Sequence, residues 1–174
     1  MATAIQCNGI KNKPQMPDYS YKNAHIDPFY YSSEDLGDTP VLPLIKPYRL
    51  LFFNGKNVWA LETGDVQNEL GDMIAPLMKV NVVGEYIIGY KSFEKDNEDP
   101  TFNIPEKWFI LNTESKQLSF FNTESLFKTA LKKINQSEEL LNPDTLFEQY
   151  KKDPVLPWFP EDVKKQMEVV RRKR

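Results

Sequence analysis

Tyr48-RLLFFNGKNVWAL-Glu62 is the stretch that decides the fold class. Two apolar-rich runs, Leu50 to Phe53 and Val58 to Leu61, flank Asn54-Gly55. Asn-Gly between such runs is the strongest short hairpin signal, because both residues tolerate the positive φ of a type I′ turn. Two further stretches repeat the plan. Lys79-VNVVGEYIIGYKS-Phe93 turns at Val83-Gly84-Glu85, and Lys107-WFILNTESKQLSF-Phe121 turns at Asn112 to Ser115. Gly89, inside an apolar return run, marks a bulge or a close approach of another group. Three such units predict an antiparallel sheet of about six strands. Their spacing is irregular and their turns differ, which argues against a propeller or a solenoid.

Working outward, the segments after the third unit are helical. Asn122 or Thr123 is placed to cap a helix carrying Leu126, Phe127, Ala130, Leu131 and Ile134 on one face. Asn142-Pro143 opens a second helix with proline at its first position and Leu146, Phe147 and Tyr150 as its stripe. Pro160-Glu161-Asp162 opens a third, striped by Val163, Met167 and Val170, with carboxylates at the positive pole of the helix dipole. Strands followed by helices, without βαβ alternation, make the class α+β: a sheet of hairpin units with two or three C-terminal helices on one face or end. Residues 66–76 read as a short helix or an irregular crossover. Val66, Leu70, Met73 and Ile74 recur at helical spacing, and Gly71 and Pro76 interrupt it. Residues 1–35 read as a flexible N-terminal tail, polar and without sustained period, whose tyrosines can drape over the sheet. Residues 36–174 form the single α+β domain. Pro40, Pro43 and Pro47 give an extended approach to its first strand.

The 174 residues are 40% hydrophobic and 13% aromatic, enough for one real core. A net charge of -3 argues against nucleic acid, whose phosphates call for a concentrated basic face. The basic run Arg171 to Arg174 reads as a helix end, where cations suit the negative pole of the dipole. Cys7 is the single cysteine, so an internal disulfide and a cysteine-based metal site are both excluded. No apolar run reaches the ~18 residues of a membrane-spanning helix.

No residue pattern assembles a catalytic centre. His25, the single histidine, sits in the loose N-terminal segment without an anchored nucleophile or acid beside it. Asp96, Glu98 and Asp99 make an acidic loop, but the glycine and distal bidentate glutamate of a helix-loop-helix calcium site are missing. Glu62, Asp65, Glu69, Glu85 and Glu106 lie near strand ends, and nothing in their spacing singles out the facing pair that glycoside hydrolysis requires. The glycines are scattered, with no phosphate-cradling loop. The chain is therefore read as a non-enzyme without a cofactor. Aromatics are the surplus. Trp158 and Phe159, flanked by prolines, are either pinned onto the core or offered to a partner. With Asp96, Glu98 and Asp99 they are the candidate contacts for a protein partner.

Pro43-LIKPYRLLFFNGKNVWAL-Glu62, Glu85-YIIGY-Lys91 and Trp108-FILNTESKQLSFFNTESLF-Lys128 together resemble small bacterial lipoproteins, some of them toxin-immunity or accessory proteins. The resemblance spans residues 43–131 and is one of cadence, with no catalytic residues to carry over. It implies an envelope location and a protein-binding role against a toxin or effector. Cys7, followed by a polar, proline-containing stretch, resembles the lipidated start of such proteins, and contact with a membrane would come only through that anchor. Gln6 departs from the small residue usual before a lipidated cysteine. With a signal peptide on the precursor the location is periplasm or envelope; without one it is the cytoplasm. Three functions follow: a non-enzymatic immunity-type binding protein, an accessory envelope lipoprotein, and a carboxylate-based hydrolase.

Overall fold

The computed structural model describes residues 20–35, 39–64, 66, 70–94 and 103–172. Its centre is an antiparallel meander in which every strand pairs with its sequence neighbour. The strands are β1 (Glu34–Asp35), β2 (Thr39–Pro43), β3 (Arg49–Phe53), β4 (Val58–Glu62), β5 (Met73–Val83), β6 (Tyr86–Lys91), β7 (Lys107–Asn112) and β8 (Gln117–Phe121). The α+β class stands, with more strands than the three hairpin units supplied. The additional pair precedes the first unit. The proline-rich approach forms β2, and β1 adds two residues to its outer side. Pro40 and Pro43 fit there because this end of the sheet tolerates missing N–H donors.

All three units turn where the sequence places them, and the first differs in type. Phe53 pairs with Val58, so Asn54 to Asn57 form a four-residue loop, and the positive φ falls on Asn57 at 54°. Residues 113–116 form the same kind of loop between Asn112 and Gln117, with positive φ on Lys116. There the Asn112 carboxamide oxygen accepts from the amides of Glu114 and Ser115 at 3.0 and 2.8 Å. The middle unit is tighter: Val83 pairs with Tyr86, and Gly84 alone takes positive φ at 59°, as a type II′ turn requires.

Residues 73–76 are strand, not helix. Ile74 and Leu77 are buried on the sheet, paired with Leu61 and Trp59 of β4. That register skips, leaving Ala75 and Pro76 opposite Ala60, so proline stands where the ladder has lost its regular pairing. A second skip leaves Met78 without a partner on β6, since Leu77 pairs with Lys91 and Lys79 with Tyr90. Beyond it, Val80 exchanges both backbone hydrogen bonds with Leu141 at 2.9 Å. One edge of β5 is thus served first by β4 and then by the segment before the second C-terminal helix.

Besides the four-residue α1 (Ser20–Asn23), the helices are α2 (Glu124–Lys133), α3 (Pro143–Lys152) and α4 (Glu161–Arg172). Thr123 caps α2 and Asn142 caps α3, each side-chain oxygen accepting from an amide three residues on. The main core joins Leu50, Leu61, Ile87 and Phe109 of the sheet to Leu146 and Tyr150 of α3 and Met167 of α4. A second cluster packs Phe127 and Leu131 of α2 on Ile88 and Ile110. Neighbours in β6 and β7 thus feed alternate clusters, as the two-residue side-chain period dictates. Leu126, placed by its spacing on the buried face of α2, is 56% exposed instead.

Of the segment read as a tail, Tyr21, Ile26, Tyr30 and Tyr31 join the core. Tyr21 and Ile26 are 2% and 4% exposed, and the Tyr150 hydroxyl donates to the Ser32 carbonyl at 3.2 Å. The domain's packing therefore begins ahead of residue 36. The packing of Tyr21 follows the reading that the tyrosines of this segment drape over the sheet, whereas Ile26, alone between polar residues, leaves no periodic signal.

Candidate functional site

The bulge at Met78 and the start of α3 open a cleft of about 200 Å³. Phe52, Val58, Trp59, Leu77, Met78 and Pro143 line it, with Asn57, Asn142 and Asp144 at the polar side. Each wall has a local origin. Trp59 is directed inward by the alternation of β4 and is 4% exposed. Its cross-strand partner Phe52 lies 5.1 Å away, centroid to centroid. Phe147 of α3 backs the indole edge-on at 5.3 Å. Met78, freed from pairing by the bulge, is 46% exposed.

Asp144 supplies the cleft's carboxylate. It stands in the first turn of α3, where the amide ends favour negative charge. The Trp59 Nε1–H donates to its Oδ1 at 2.8 Å, which satisfies a buried indole donor and fixes the carboxylate's orientation. No described cation forms an ion pair with Asp144, and its Oδ2 faces no donor among the described residues. The Lys151 ammonium lies over the Phe147 ring at 5.0 Å, so a cation–aromatic contact already exists beside this stack. An aromatic wall with one oriented carboxylate suits a cationic side chain.

The described residues among the candidate sites singled out from sequence do not line this cleft. Cys7, Asp96, Glu98 and Asp99 fall outside the described residues, as do Asp65 and Glu69. Phe159 is 2% exposed and meets Tyr30 edge-on at 5.0 Å; packing claims it. Trp158 is half-buried, its indole N–H donating to the Pro43 carbonyl at 3.3 Å. The pair thus docks the segment between α3 and α4, Trp158 on β2 and Phe159 on Tyr30, because a proline-broken stretch has few backbone bonds of its own to hold it. His25 is exposed on the turn after α1. Glu62 is held by Arg49 at 2.7 Å and Glu106 by the Tyr90 hydroxyl at 2.6 Å, so these two carboxylates are engaged by separate partners. No group of three His, Cys, Asp or Glu that could hold a metal ion occurs among the described residues. No described helix is long and apolar enough to cross a membrane.

The cleft was not visible in the sequence. Trp59 reads only as part of the apolar run Val58 to Leu61 and Asn142-Pro143 only as a helix start, and both stand. The missing clue was the indole's need for an acceptor, met 85 positions away. Set against family models, curated proteins and solved structures, the chain matches none.

Proposed function

We propose that this chain is a non-enzymatic binding protein that receives a cationic side chain of a protein partner in the Trp59–Asp144 cleft. The observation that supports this is the oriented carboxylate of Asp144, without a described cation beside it, against the aromatic wall of Phe52 and Trp59. A cation entering there gains charge-assisted hydrogen bonding and an aromatic face together. Asn57 and Asn142 flank the carboxylate as neutral rim groups, and Met78 adapts its shape to the occupant. The acidic balance of the chain would steer a basic partner toward it. An immunity protein that neutralises a basic bacterial toxin is the role this reading fits.

The test is a titration with a short blocked arginine peptide, followed by the Trp59 indole N–H resonance. The arginine peptide is expected to shift that resonance, the matching citrulline peptide to leave it unmoved, and Asp144→Asn to abolish the response. Equal shifts from both peptides, or none from either, would sink the proposal.

A further inference from the structure

β8 is the last strand of the meander and, among the described residues, pairs with β7 alone. Among the described residues, no backbone hydrogen bond reaches its outer edge. α2 does not cover that edge: from Thr123 it turns inward over the sheet, seating Phe127 and Leu131 on Ile88 and Ile110. Folded chains ordinarily blunt such an edge with a charge, a proline or a bulge. Gln117-Leu118-Ser119-Phe120-Phe121 has none of these, and its pairing with β7 is regular throughout. The other end of the meander differs: β1 is two residues long and both are acidic. Leu118 and Phe120 extend the main core to the β8 side and remain half-buried there.

We infer that β8 pairs antiparallel with β8 of a second copy of this chain, across a two-fold axis at Ser119. The strand is self-complementary under that operation. Leu118 falls opposite Phe120 on both sides of the axis, Gln117 opposite Phe121, and Ser119 opposite itself. Lys116, the charge next to the strand along the chain, falls opposite Asn122, and the Lys107 ammonium of β7 lies over the Phe120 ring at 5.5 Å, so within the paired strands the operation sets no like charges opposite each other. The two main cores become continuous along one face, and Leu118 and Phe120 lose their remaining exposure. A two-fold contact of this kind closes on itself and uses the same patch twice. A partner using its β1 end would bring an acidic two-residue strand, too short to satisfy this edge.

Sedimentation equilibrium of the full chain is expected to show a reversible dimer. Ser119→Lys sets two ammonium groups face to face and should raise the dimer dissociation constant about ten-fold or more. A second measurement does not depend on that variant folding. With Cys7 replaced by serine, Ser119→Cys should give a disulfide-linked dimer under mild oxidation, since directly opposed residues of antiparallel strands lie at disulfide distance. Thr129→Cys on the exposed side of α2 gives the collisional background. A monomer at millimolar concentration overturns the inference, as does a Ser119→Cys variant that cross-links no faster than the Thr129→Cys variant. A monomer that binds an added strand peptide at β8 also overturns it, and assigns the edge to another chain. None of these readouts involves Asp144, so the fates of dimer and cleft are separable.

Discussion

Gly89 shows how a single missing side chain sets a packing limit. A Cβ there would lie 2.5 Å from Phe109 Cζ and 2.8 Å from the Lys79 carbonyl oxygen. The second contact is backbone and has no rotamer to escape into. The Phe109 ring lies across Gly89, its register partner on β6, so of the two sequence readings the close approach is the one realised. Gly89→Ala should destabilise by roughly 1–3 kcal/mol through overpacking, and a denaturant midpoint shift at unchanged slope would measure it. Two neighbours of Gly89 give the chain a pH signature. The Lys91 side chain is fully buried and donates to the carbonyls of Ser92 and Pro105 at 3.0 and 3.2 Å. Burial pushes its pKa below the ordinary 10.5. The unfolded chain then binds the extra proton, so this group makes stability rise with pH up to about 10.5. Tyr90 acts oppositely. Its hydrogen bond to Glu106, with some burial, lifts the phenol to about 12, so its contribution is lost as pH climbs from 10 to 12. Denaturation of the wild type as pH approaches 10.5 from below should therefore show a rising limb that Lys91→Met flattens. A Lys91→Met curve parallel to wild type would refute the assignment.

At the scale of elements, caps and bulges carry the specification that hydrophobic pattern leaves open. Thr123 Oγ1 accepts from the Leu126 amide at 3.3 Å and starts α2 at the point where β8 ends. Thr123→Ala should cost about 1 kcal/mol, read as a lower thermal midpoint with little change in folded-state circular dichroism. A loss near zero would show that the Phe127 and Leu131 contacts alone place the helix. The caps at Thr123 and Asn142 were legible because they rest on local chemistry between residues three apart. The course of β5 was not. Val66, Leu70, Met73 and Ile74 carry a helical spacing by coincidence, and the burial of Ile74 and Leu77 against β4 overrides it. The Asn54-Gly55 turn failed for a related reason. The strands' register closes at Phe53 and Val58, which makes the loop four residues long and moves the positive φ to Asn57.

At the scale of the whole molecule, helices lie on both faces of the sheet, where the sequence suggested one face or end. α3 and α4 cover the main core, and α2 the smaller cluster. The N-terminal segment closes the main core from the side. Tyr21 meets Tyr31 at 5.9 Å between ring centroids, and Tyr150 of α3 ties to Ser32. If residues 20–35 were a flexible tail, Tyr21→Ala would shift stability by no more than about 0.5 kcal/mol, as surface changes do. The buried position predicts a loss of roughly 3–5 kcal/mol, measurable by urea denaturation.

The sequence alone determined the α+β class, the three hairpin units, the α2 and α3 caps and the order of strands before helices. All of these rest on interactions between residues close along the chain, where periodicity, turn chemistry and capping act. Tertiary structure alone decided the path of β5, the docking of Trp158 and Phe159, the place of residues 20–35 and the Trp59–Asp144 cleft. Each depends on groups brought together from distant positions, and the free energy of burying an apolar ring or satisfying an indole donor does not depend on sequence separation. No local pattern records that choice.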